Sequence, residues 1–286
     1  MRLIAFINEQ GQPALGTRVD AEHLLDLTSA GAPSTLDEVL LQGPQGWEQL
    51  RRSQEKATKR VALAGLKWLP PILNPGKAFA IGLNYIDHAA ESNFEPPKHP
   101  VVFHRYRSSW VAHNDLLIRP HVSTQFDFEA ELVAVIGKAG RYIPKEKALE
   151  HVAGYSIFND GSIRDYQLRT NQWMLGKNFD NSGSFGPDFV TADELPAGAK
   201  DLQIQCRLNG QVLQNANTKN MIFDVATLVS TCSEAMSLKP GDIIITGTPS
   251  GVGMARNPQV WMKAGDVCEI EVQGIGILRN TIADES

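Results

Sequence analysis

The segment from Phe126 to Gly137 places three acidic residues at alternate positions and then continues as an unbroken apolar run. This alternation predicts a β-strand, in which side chains at i, i+2 and i+4 lie on one face. Asp127, Glu129 and Glu131 therefore share a face, although like charges so close together destabilise a sheet. Such a strand must either lie at a solvated edge or hold a counter-ion.

A divalent cation is one explanation for the three carboxylates, because Mg²⁺, Mn²⁺ and Ca²⁺ prefer carboxylate oxygens. A second apolar segment, Gly154 to Phe158, predicts another strand, and it is followed by Asn159 and Asp160. Asp160 can add a carboxylate from the end of that neighbouring strand. The alternative is a solvent-facing acidic strand that blocks edge pairing. The pattern by itself leaves both explanations open.

Composition excludes several classes of function. The 286 residues are 42% hydrophobic with a formal net charge of -5, whereas a nucleic-acid partner requires a basic surface. No apolar run approaches the roughly 18 residues of a membrane span, and the first residues lack the apolar region of a signal peptide. Three widely spaced cysteines without a CxxC motif fit reduced, buried thiols. We therefore expect a cytoplasmic protein that binds neither nucleic acid nor membrane.

Two domains are predicted, with a boundary in the proline-rich segment near residue 73. Residues 1–73 are expected to form a small N-terminal α/β domain, in which Thr35 caps a helix that begins at Leu36. Residues 74–286 contain many short strand patterns, few helical ones and no βαβ repeat, which predicts a mixed, β-rich α+β fold. Asn209-Gly210 between two strand patterns predicts a β-hairpin.

Two pairs of residues outside the acidic segment are candidates for a functional site. His88 and Glu91 are neighbours on a predicted helix face, and a carboxylate beside a histidine favours a general base. Such pairs are also common on ordinary helix surfaces. Arg105 and Arg107 follow a short strand and suit an anionic substrate, or alternatively surface ion pairs. The glycine-rich segment 247–253 allows a close backbone approach to a ligand.

Taken in order, these motifs resemble the fumarylacetoacetate hydrolase family from about Lys77 to the C-terminus. The matching segments are Gly82-Leu83-Asn84-Tyr85 with His88 and Glu91, Phe103 through Ser108-Ser109, Phe128 to Leu132, Asn159-Asp160 with Arg164-Asp165 and Gln167, Gly176-Lys177, Gly186-Pro187, Asn209-Gly210, and Gly247 to Gly253. The resemblance implies a compact β-roll with mixed sheets, usually a homodimer. It also implies one bound Mg²⁺ or Mn²⁺, or Ca²⁺ in a crystal.

The resemblance further implies roles for individual side chains. The implied residues are the metal ligands Glu129, Glu131 and Asp160, the catalytic residues His88, Glu91 and Lys177, and the substrate-binding residues Arg164, Gln167 and Thr248. Asp127 lies beside the ligands without being counted among them. The family often has Lys-Pro where this chain has Arg105-Tyr106. We therefore expect Arg105 or Arg107 to bind a distal carboxylate or hydroxylated tail of the substrate.

The implied activity is hydrolysis of the C–C bond of a 2,4-diketo acid, such as an acylpyruvate, to pyruvate and a carboxylic acid. His88, oriented by Glu91, would activate the water, and Lys177 would hold substrate oxygens beside the ion. The alternative is a decarboxylase or enol–keto isomerase of a small 2-oxo acid such as oxaloacetate, because these reactions pass through the same enolate. A catalytically silent binding protein is the contrasting class, and the intact carboxylate and lysine set argues against it.

Overall fold

The computed structural model describes residues 1–91 and 95–286, except for the side chains of residues 88–90. The strands of this described part, numbered β1 to β18 in chain order, are Arg2–Ile7, Pro13–Arg18, His23–Asp26, Arg60–Ala62, Ala78–Gly82, Val101–His104, Trp110–Val111, Leu116–Arg119, Phe126–Asp127, Ala130–Ile136, Val152–Asn159, Ser162–Ile163, Gly183–Thr191, Gln203–Leu208, Gln211–Asn217, Ile243–Ile245, Val267–Val272 and Gly276–Asp284. Its helices, α1 to α6, are Leu36–Gln42, Pro44–Lys56, Ile86–Glu91, Arg164–Gln167, Met174–Lys177 and Val225–Ala235. Short 3-10 helices occupy Thr28–Ala30, Arg107–Ser109, Lys145–His151, Ala192–Glu194, Ala197–Ala199, Thr218–Asn220 and Gly253–Ala255.

Most strands belong to two sheets. Within the described ranges, a large sheet has the order β4-β3-β2-β1-β13-β11-β10-β16-β5-β6, and β7 pairs with β13 beside this path. A five-stranded sheet has the order β15-β14-β17-β18-β8, and β12 pairs separately with β9. β16 pairs antiparallel with β10 but parallel with β5. The mixed, β-rich fold predicted from the sequence is confirmed.

Strand β10 is buried on both faces, which explains its unbroken apolar run. Leu132 and Ala134 pack in a core with α6 and the five-stranded sheet. Val133 and Val135 point the other way, into a core that includes residues of α1 and α2. β10 is therefore covered on both sides by apolar cores.

Several local predictions are confirmed. The side chain of Thr35 accepts a hydrogen bond from the Glu38 amide, 3.2 Å away, at the start of α1. Asn209 and Gly210 join β14 to β15 with positive φ angles of 52° and 80°, as a tight hairpin turn requires. All three cysteines are buried and free. No helix in the described part of the chain has the length and apolar character needed to cross a membrane.

Strand β1 joins the N-terminal segment to the rest of the protein. Arg2 pairs with Val190 and Leu3 pairs with Phe189, both in β13. The strands of residues 1–73 therefore continue the same large sheet that contains the later strands. The division into two domains near residue 73 stays a prediction.

The predicted strand from Phe126 to Gly137 is interrupted, which corrects the sequence analysis. The Phe128 amide donates to Asp127 Oδ1 at 2.9 Å, and the Glu129 amide donates to Asn159 Oδ1 at 3.1 Å. Because side-chain oxygens take the place of strand carbonyls here, the ladder breaks between β9 and β10. Asp127 and Glu131 therefore belong to different strands, and the single strand expected to carry all three carboxylates on one face is not formed.

Candidate active site

The candidate site lies where several strands of the large sheet end. Glu129 directly precedes β10, Glu131 is the second residue of this strand, and Asp160 follows directly after β11. β10 and β11 are antiparallel, so the start of one lies beside the end of the other. Thr248 follows β16, the other neighbour of β10. The sheet topology therefore gathers residues that are far apart in the sequence.

Three carboxylates converge at this point. Glu129, Glu131 and Asp160 are buried, and each offers an oxygen within 4.8 Å of the other two. Burial raises the pKa of Glu131 well above its usual range, and the charges of Asp160 and Glu129 raise it further. Burial also raises the pKa of Asp160, although Lys177 opposes this shift. Such a cluster requires positive charge to remain ionised.

Lys177 supplies part of that charge. Its Nζ lies 2.7 Å from Glu129 Oε2 and 2.6 Å from Asp160 Oδ2, and the side chain is only 2% exposed. A Cβ added at Gly176 would lie 2.2 Å from the backbone nitrogen of Gln167. Glycine at this position therefore lets α5 pack closely on α4 and places Lys177 against the carboxylates.

Arg164 connects Glu129 to Asp127. Its Nε lies 2.8 Å from Asp127 Oδ2, and its Nη1 lies 2.7 Å from Glu129 Oε1 and 2.8 Å from Gln167 Oε1. Burial works against the charge of Arg164, but Asp127 and Glu129 overcome this effect and raise its pKa. Its buried Nη2 has no hydrogen-bond partner among the described residues. Because Arg164 lines a pocket, this nitrogen is suited to an anionic ligand.

The glycine-rich loop between Gly247 and Gly253 binds carboxylates through its backbone. The amides of Gly247, Gly251 and Gly253 donate to Glu131, Glu91 and Asp127 respectively. A Cβ added at Gly251 would lie 2.3 Å from Leu213 O, and its φ is +97°. The loop therefore approaches acidic side chains of the chain itself closely, and the approach to a ligand expected from the sequence stays a prediction.

Glu91 attaches the end of α3 to this loop. Both of its carboxylate oxygens accept a hydrogen bond from the Gly251 amide, at 3.0 and 2.9 Å. The side chain of His88 lies outside the described residues. The pairing of His88 with Glu91 therefore stays a prediction.

A small pocket of about 40 Å³ opens beside the carboxylates. Its polar wall consists of Glu129, Arg164, Gln167, Lys177 and Thr248, and its apolar wall of Ile81, Gly82, Leu83, Phe103, Leu168, Trp173 and Met254. Trp173 packs directly on Gly82, where an added Cβ would lie 2.1 Å from the indole ring, and it meets Phe103 edge-on at 5.8 Å. No local pattern in the sequence indicates this role of Trp173. The structure thus gathers Arg164, Gln167, Lys177 and Thr248 in one pocket, as expected.

Arg105 occupies a different place from the one expected. Its side chain is completely buried, and its Nη1 donates to Asp160 Oδ1 at 2.8 Å and to Gly161 O at 3.0 Å. Its Nη2 donates to Ser109 O at 3.0 Å. Arg107 donates to backbone carbonyls instead. Neither arginine lines the pocket, so the expected contact of either one with a substrate tail does not fit this structure.

Two amide side chains to which the sequence assigned no role support the site. Asn159 accepts a hydrogen bond from the Glu129 amide through Oδ1 and donates to Cys268 Sγ at 3.6 Å. Gln214 reaches from β15 to Thr248. The position of Asn159, between a predicted strand and Asp160, is a sequence pattern that could have indicated a role in the site. No such pattern marks Gln214, because its hydrogen-bond partners are distant in the sequence.

The donor set fits a divalent cation. Among the described side chains, the buried site contains four carboxylates, on Asp127, Glu129, Glu131 and Asp160, and three basic groups, on Arg105, Arg164 and Lys177. The carboxylates of this set outnumber its basic groups by one, and three of the carboxylates lie close enough to share an ion. Oxygen donors of this kind suit Mg²⁺, Mn²⁺ and Ca²⁺ alike.

Comparisons with known proteins agree on one family. Residues 77–283 match the family described as fumarylacetoacetate (FAA) hydrolase C-terminal. The chain is 38% identical to an oxaloacetate tautomerase of Xenopus laevis over 99% of its own length and 90% of the relative's. A fumarylacetoacetate hydrolase from Exiguobacterium antarcticum superposes with a TM-score of 0.88 at 35% identity, with both chains fully covered. A maleylpyruvate hydrolase from Sphingobium sp. SYK-6 gives 0.80 at 27% identity, again over both whole chains.

Proposed function

The chain belongs to the fumarylacetoacetate hydrolase family, and from this premise we propose that it is a divalent-metal-dependent tautomerase of a small 2-oxo acid of the oxaloacetate type. The observation that carries the proposal is the position of Lys177 Nζ, between Glu129 and Asp160 on the polar wall of the pocket. The oxaloacetate tautomerase among the relatives supports this substrate class. The isomerase alternative from the sequence is therefore now preferred.

The proposed reaction moves one proton and consumes no water. The C3–H bond breaks, its electron pair forms the C2–C3 double bond, and the 2-oxo oxygen gains a proton to give the enol. A divalent cation held by Glu129, Glu131 and Asp160 would supply Lewis-acid stabilisation of the negative charge that develops on this oxygen. Lys177 adds a buried ammonium that donates a hydrogen bond to the same oxygen and stabilises its charge.

The remaining polar residues of the pocket hold the substrate. Arg164 lines the pocket, and its Nη2 has no hydrogen-bond partner among the described residues. We assign this nitrogen to a carboxylate of the substrate, because a charge-assisted hydrogen bond is about twice as strong as a neutral one. Gln167 and Thr248 line the same wall. Trp173 and Phe103 limit the room opposite, which favours a short substrate over one with a long acyl chain.

We assign the removal of the C3 proton to His88. A histidine beside a carboxylate has the basicity for this step near neutral pH, and Glu91 is its expected partner. The attachment of Glu91 to the Gly251 amide fixes the end of the helix that carries His88. The pocket and the proposed base are therefore linked through the glycine-rich loop.

Hydrolysis of a 2,4-diketo acid is the second candidate. The maleylpyruvate hydrolase shares the fold over its whole length, and the same side chains would stabilise the enolate released by C–C cleavage. This reaction needs a water molecule activated by His88. Tautomerisation needs the same residue only for proton transfer. The two candidates are therefore separated by identifying the reaction products, and not by substituting His88.

The test compares three reactions in the presence of Mg²⁺ or Mn²⁺ and of a chelator. Loss of the ultraviolet absorbance of enol-oxaloacetate measures tautomerisation, and pyruvate release measures decarboxylation of oxaloacetate or cleavage of 2,4-diketo acids. We expect chelator-sensitive tautomerisation that falls by about 10²–10⁴-fold in Lys177→Met. Lys263→Met, at an exposed lysine, is the matched control. Pyruvate release from diketo acids without tautomerisation of oxaloacetate would favour the second candidate.

The proposed partner is thus a small anionic 2-oxo acid. The homodimer and the cytoplasmic location expected from the sequence stay predictions, as does the absence of a nucleic-acid or membrane partner.

A further inference from the structure

Gln214 is a buried side chain that links the five-stranded sheet to the active site. It is 1% exposed and makes three hydrogen bonds. Its Oε1 accepts from the Ala130 amide at 2.9 Å, and its Nε2 donates to Pro249 O and to Thr248 Oγ1, both at 2.8 Å. Ala130 lies between the metal-site residues Glu129 and Glu131.

Two of these partners fix the orientation of the amide. A backbone N–H can only donate, so the group facing Ala130 must be the amide oxygen. A backbone carbonyl can only accept, so the group facing Pro249 must be the amide nitrogen. Thr248 lies beside this nitrogen, and its oxygen must therefore accept.

The hydroxyl hydrogen of Thr248 is consequently directed away from Gln214. Thr248 is 3% exposed and lines the pocket. We infer that Gln214 is a positioning residue that makes Thr248 a hydrogen-bond donor to the substrate, so that this position recognises an oxygen without a hydrogen, such as a carboxylate or enolate oxygen. This inference rests on the proposed function for the identity of the substrate, but it concerns binding and not turnover.

A second side chain of the pocket, that of Gln167, also has a hydrogen-bond donor available for the ligand. Gln167 Oε1 accepts from Arg164 Nη1 at 2.8 Å, which leaves its amide nitrogen as the group available to a ligand. Lys177 and Arg164 can only donate. Apart from Glu129, the polar wall therefore presents hydrogens, and it favours a ligand whose polar atoms all accept.

Oxalate and oxamate are suitable probes, because oxamate carries NH₂ in place of one carboxylate oxygen and therefore also one negative charge fewer. Their dissociation constants can be measured by calorimetry with the metal-loaded protein, without any turnover. Loss of tautomerase activity would therefore not affect the result. We expect Thr248→Ser to keep the preference for oxalate over oxamate, and Thr248→Val to reduce it about 10-fold, as expected for loss of a hydrogen bond to a charged group.

Gln214→Glu tests the role of the amide itself. The new carboxyl group still accepts a hydrogen bond from the Ala130 amide. If it is ionised it has no proton to donate, and if it is protonated it donates that proton to Pro249 O. In both states it offers only a lone pair to Thr248. The hydroxyl of Thr248 then turns back toward residue 214. We expect an approximately 10-fold weaker preference for oxalate in Gln214→Glu and no further loss in the double variant with Thr248→Val. Gln211→Glu, exposed on the same strand, is the control.

Three results would overturn the inference. The first is an additive, approximately 100-fold loss in the double variant. The second is an unchanged oxalate preference in Gln214→Glu together with a lower melting temperature. This is the result expected if Gln214 has only a structural role. The third is an equal preference in Thr248→Ser and Thr248→Val, a comparison that stands even when Gln214→Glu does not fold.

Discussion

Arg105 Nη1 lies 2.8 Å from Asp160 Oδ1, on the oxygen that Lys177 does not contact. Both groups are buried, and the arginine is therefore fixed behind the carboxylate instead of facing the substrate. Its pKa is lowered by burial, although Asp160 opposes this effect. Arg105 thus orients a side chain that is expected to bind the metal.

We predict that Arg105→Lys weakens Mn²⁺ binding about 10–100-fold, because residues that hold metal ligands in place contribute on this scale. Titration calorimetry measures the change. Arg107→Lys, at the neighbouring arginine, which donates to the backbone carbonyls of Leu73 and Trp110, is the control. The relative affinity for mono- and dicarboxylic acids should be the same in both variants. A selective loss of dicarboxylate binding in Arg105→Lys would restore its expected contact with the substrate.

Metal binding should also stabilise the folded protein, because the unfolded chain does not assemble the three carboxylates. At a Mn²⁺ concentration of 100 times Kd, the expected gain is about 2.7 kcal/mol, or a rise of several degrees in Tm. Glu131→Gln should abolish this rise in a thermal unfolding experiment. Glu234→Gln, at an exposed glutamate of α6, should keep it. An equal rise in both variants would place the ion elsewhere.

The packing of Trp173 on Gly82 and Phe103 predicts a limit on substrate length. Replacing the indole in Trp173→Ala removes part of the apolar wall, so kcat/KM for 2-oxo acids with longer tails should rise about 10-fold relative to oxaloacetate. Leu175→Ala changes a neighbouring exposed side chain outside the pocket and should leave this ratio unaltered. An unchanged ratio in Trp173→Ala would mean that another part of the chain limits the substrate.

His113 predicts an acid-sensitive contribution to stability. Burial lowers its pKa to about 4, with smaller effects from Arg18 and Arg279. Its Nδ1 also accepts a hydrogen bond from the Arg279 amide at 3.1 Å, which requires that this nitrogen carry no proton. Because the unfolded chain takes up a proton near pH 6.5 and the folded chain does not, stability falls as the pH drops from about 6.5 toward 4.

The expected loss from this single group is about 1–2 kcal/mol between pH 7 and pH 5. Urea unfolding at the two pH values should show a smaller loss in His113→Gln than in the unchanged protein. His121→Gln removes an exposed imidazole and serves as the comparison. A pH dependence that is identical with and without His113 would contradict the prediction.

The sequence was most informative where the determinants are local. The acidic alternation identified Glu129 and Glu131, and the strand before Asp160 placed a third carboxylate near them. The helix cap at Thr35 and the Asn209-Gly210 turn depend on a few adjacent residues, and both were predicted correctly. The resemblance to a family added Lys177, Arg164, Gln167 and Thr248, which the structure brings into the pocket.

The sequence was least informative where a side chain replaces a backbone partner or reaches a distant segment. Asn159 interrupts the strand before β10 by accepting a hydrogen bond from the Glu129 amide. The periodicity of the sequence does not predict that a side-chain oxygen replaces a backbone carbonyl in this way. Arg105 was expected to contact the substrate because the sequence shows its positive charge. The sequence does not show that this side chain is buried against Asp160. The contact of Gln214 with Thr248 depends on how two sheets pack.

The pairing of β1 with β13 has a consequence for shortened versions of the chain. A protein that began at residue 74 would lose the strand that hydrogen-bonds with Phe189 and Val190. It would also lose Trp47, which stacks on Phe189. The bared edge would then offer unpaired amides and carbonyls beside an uncovered aromatic ring, a combination that promotes aggregation between copies.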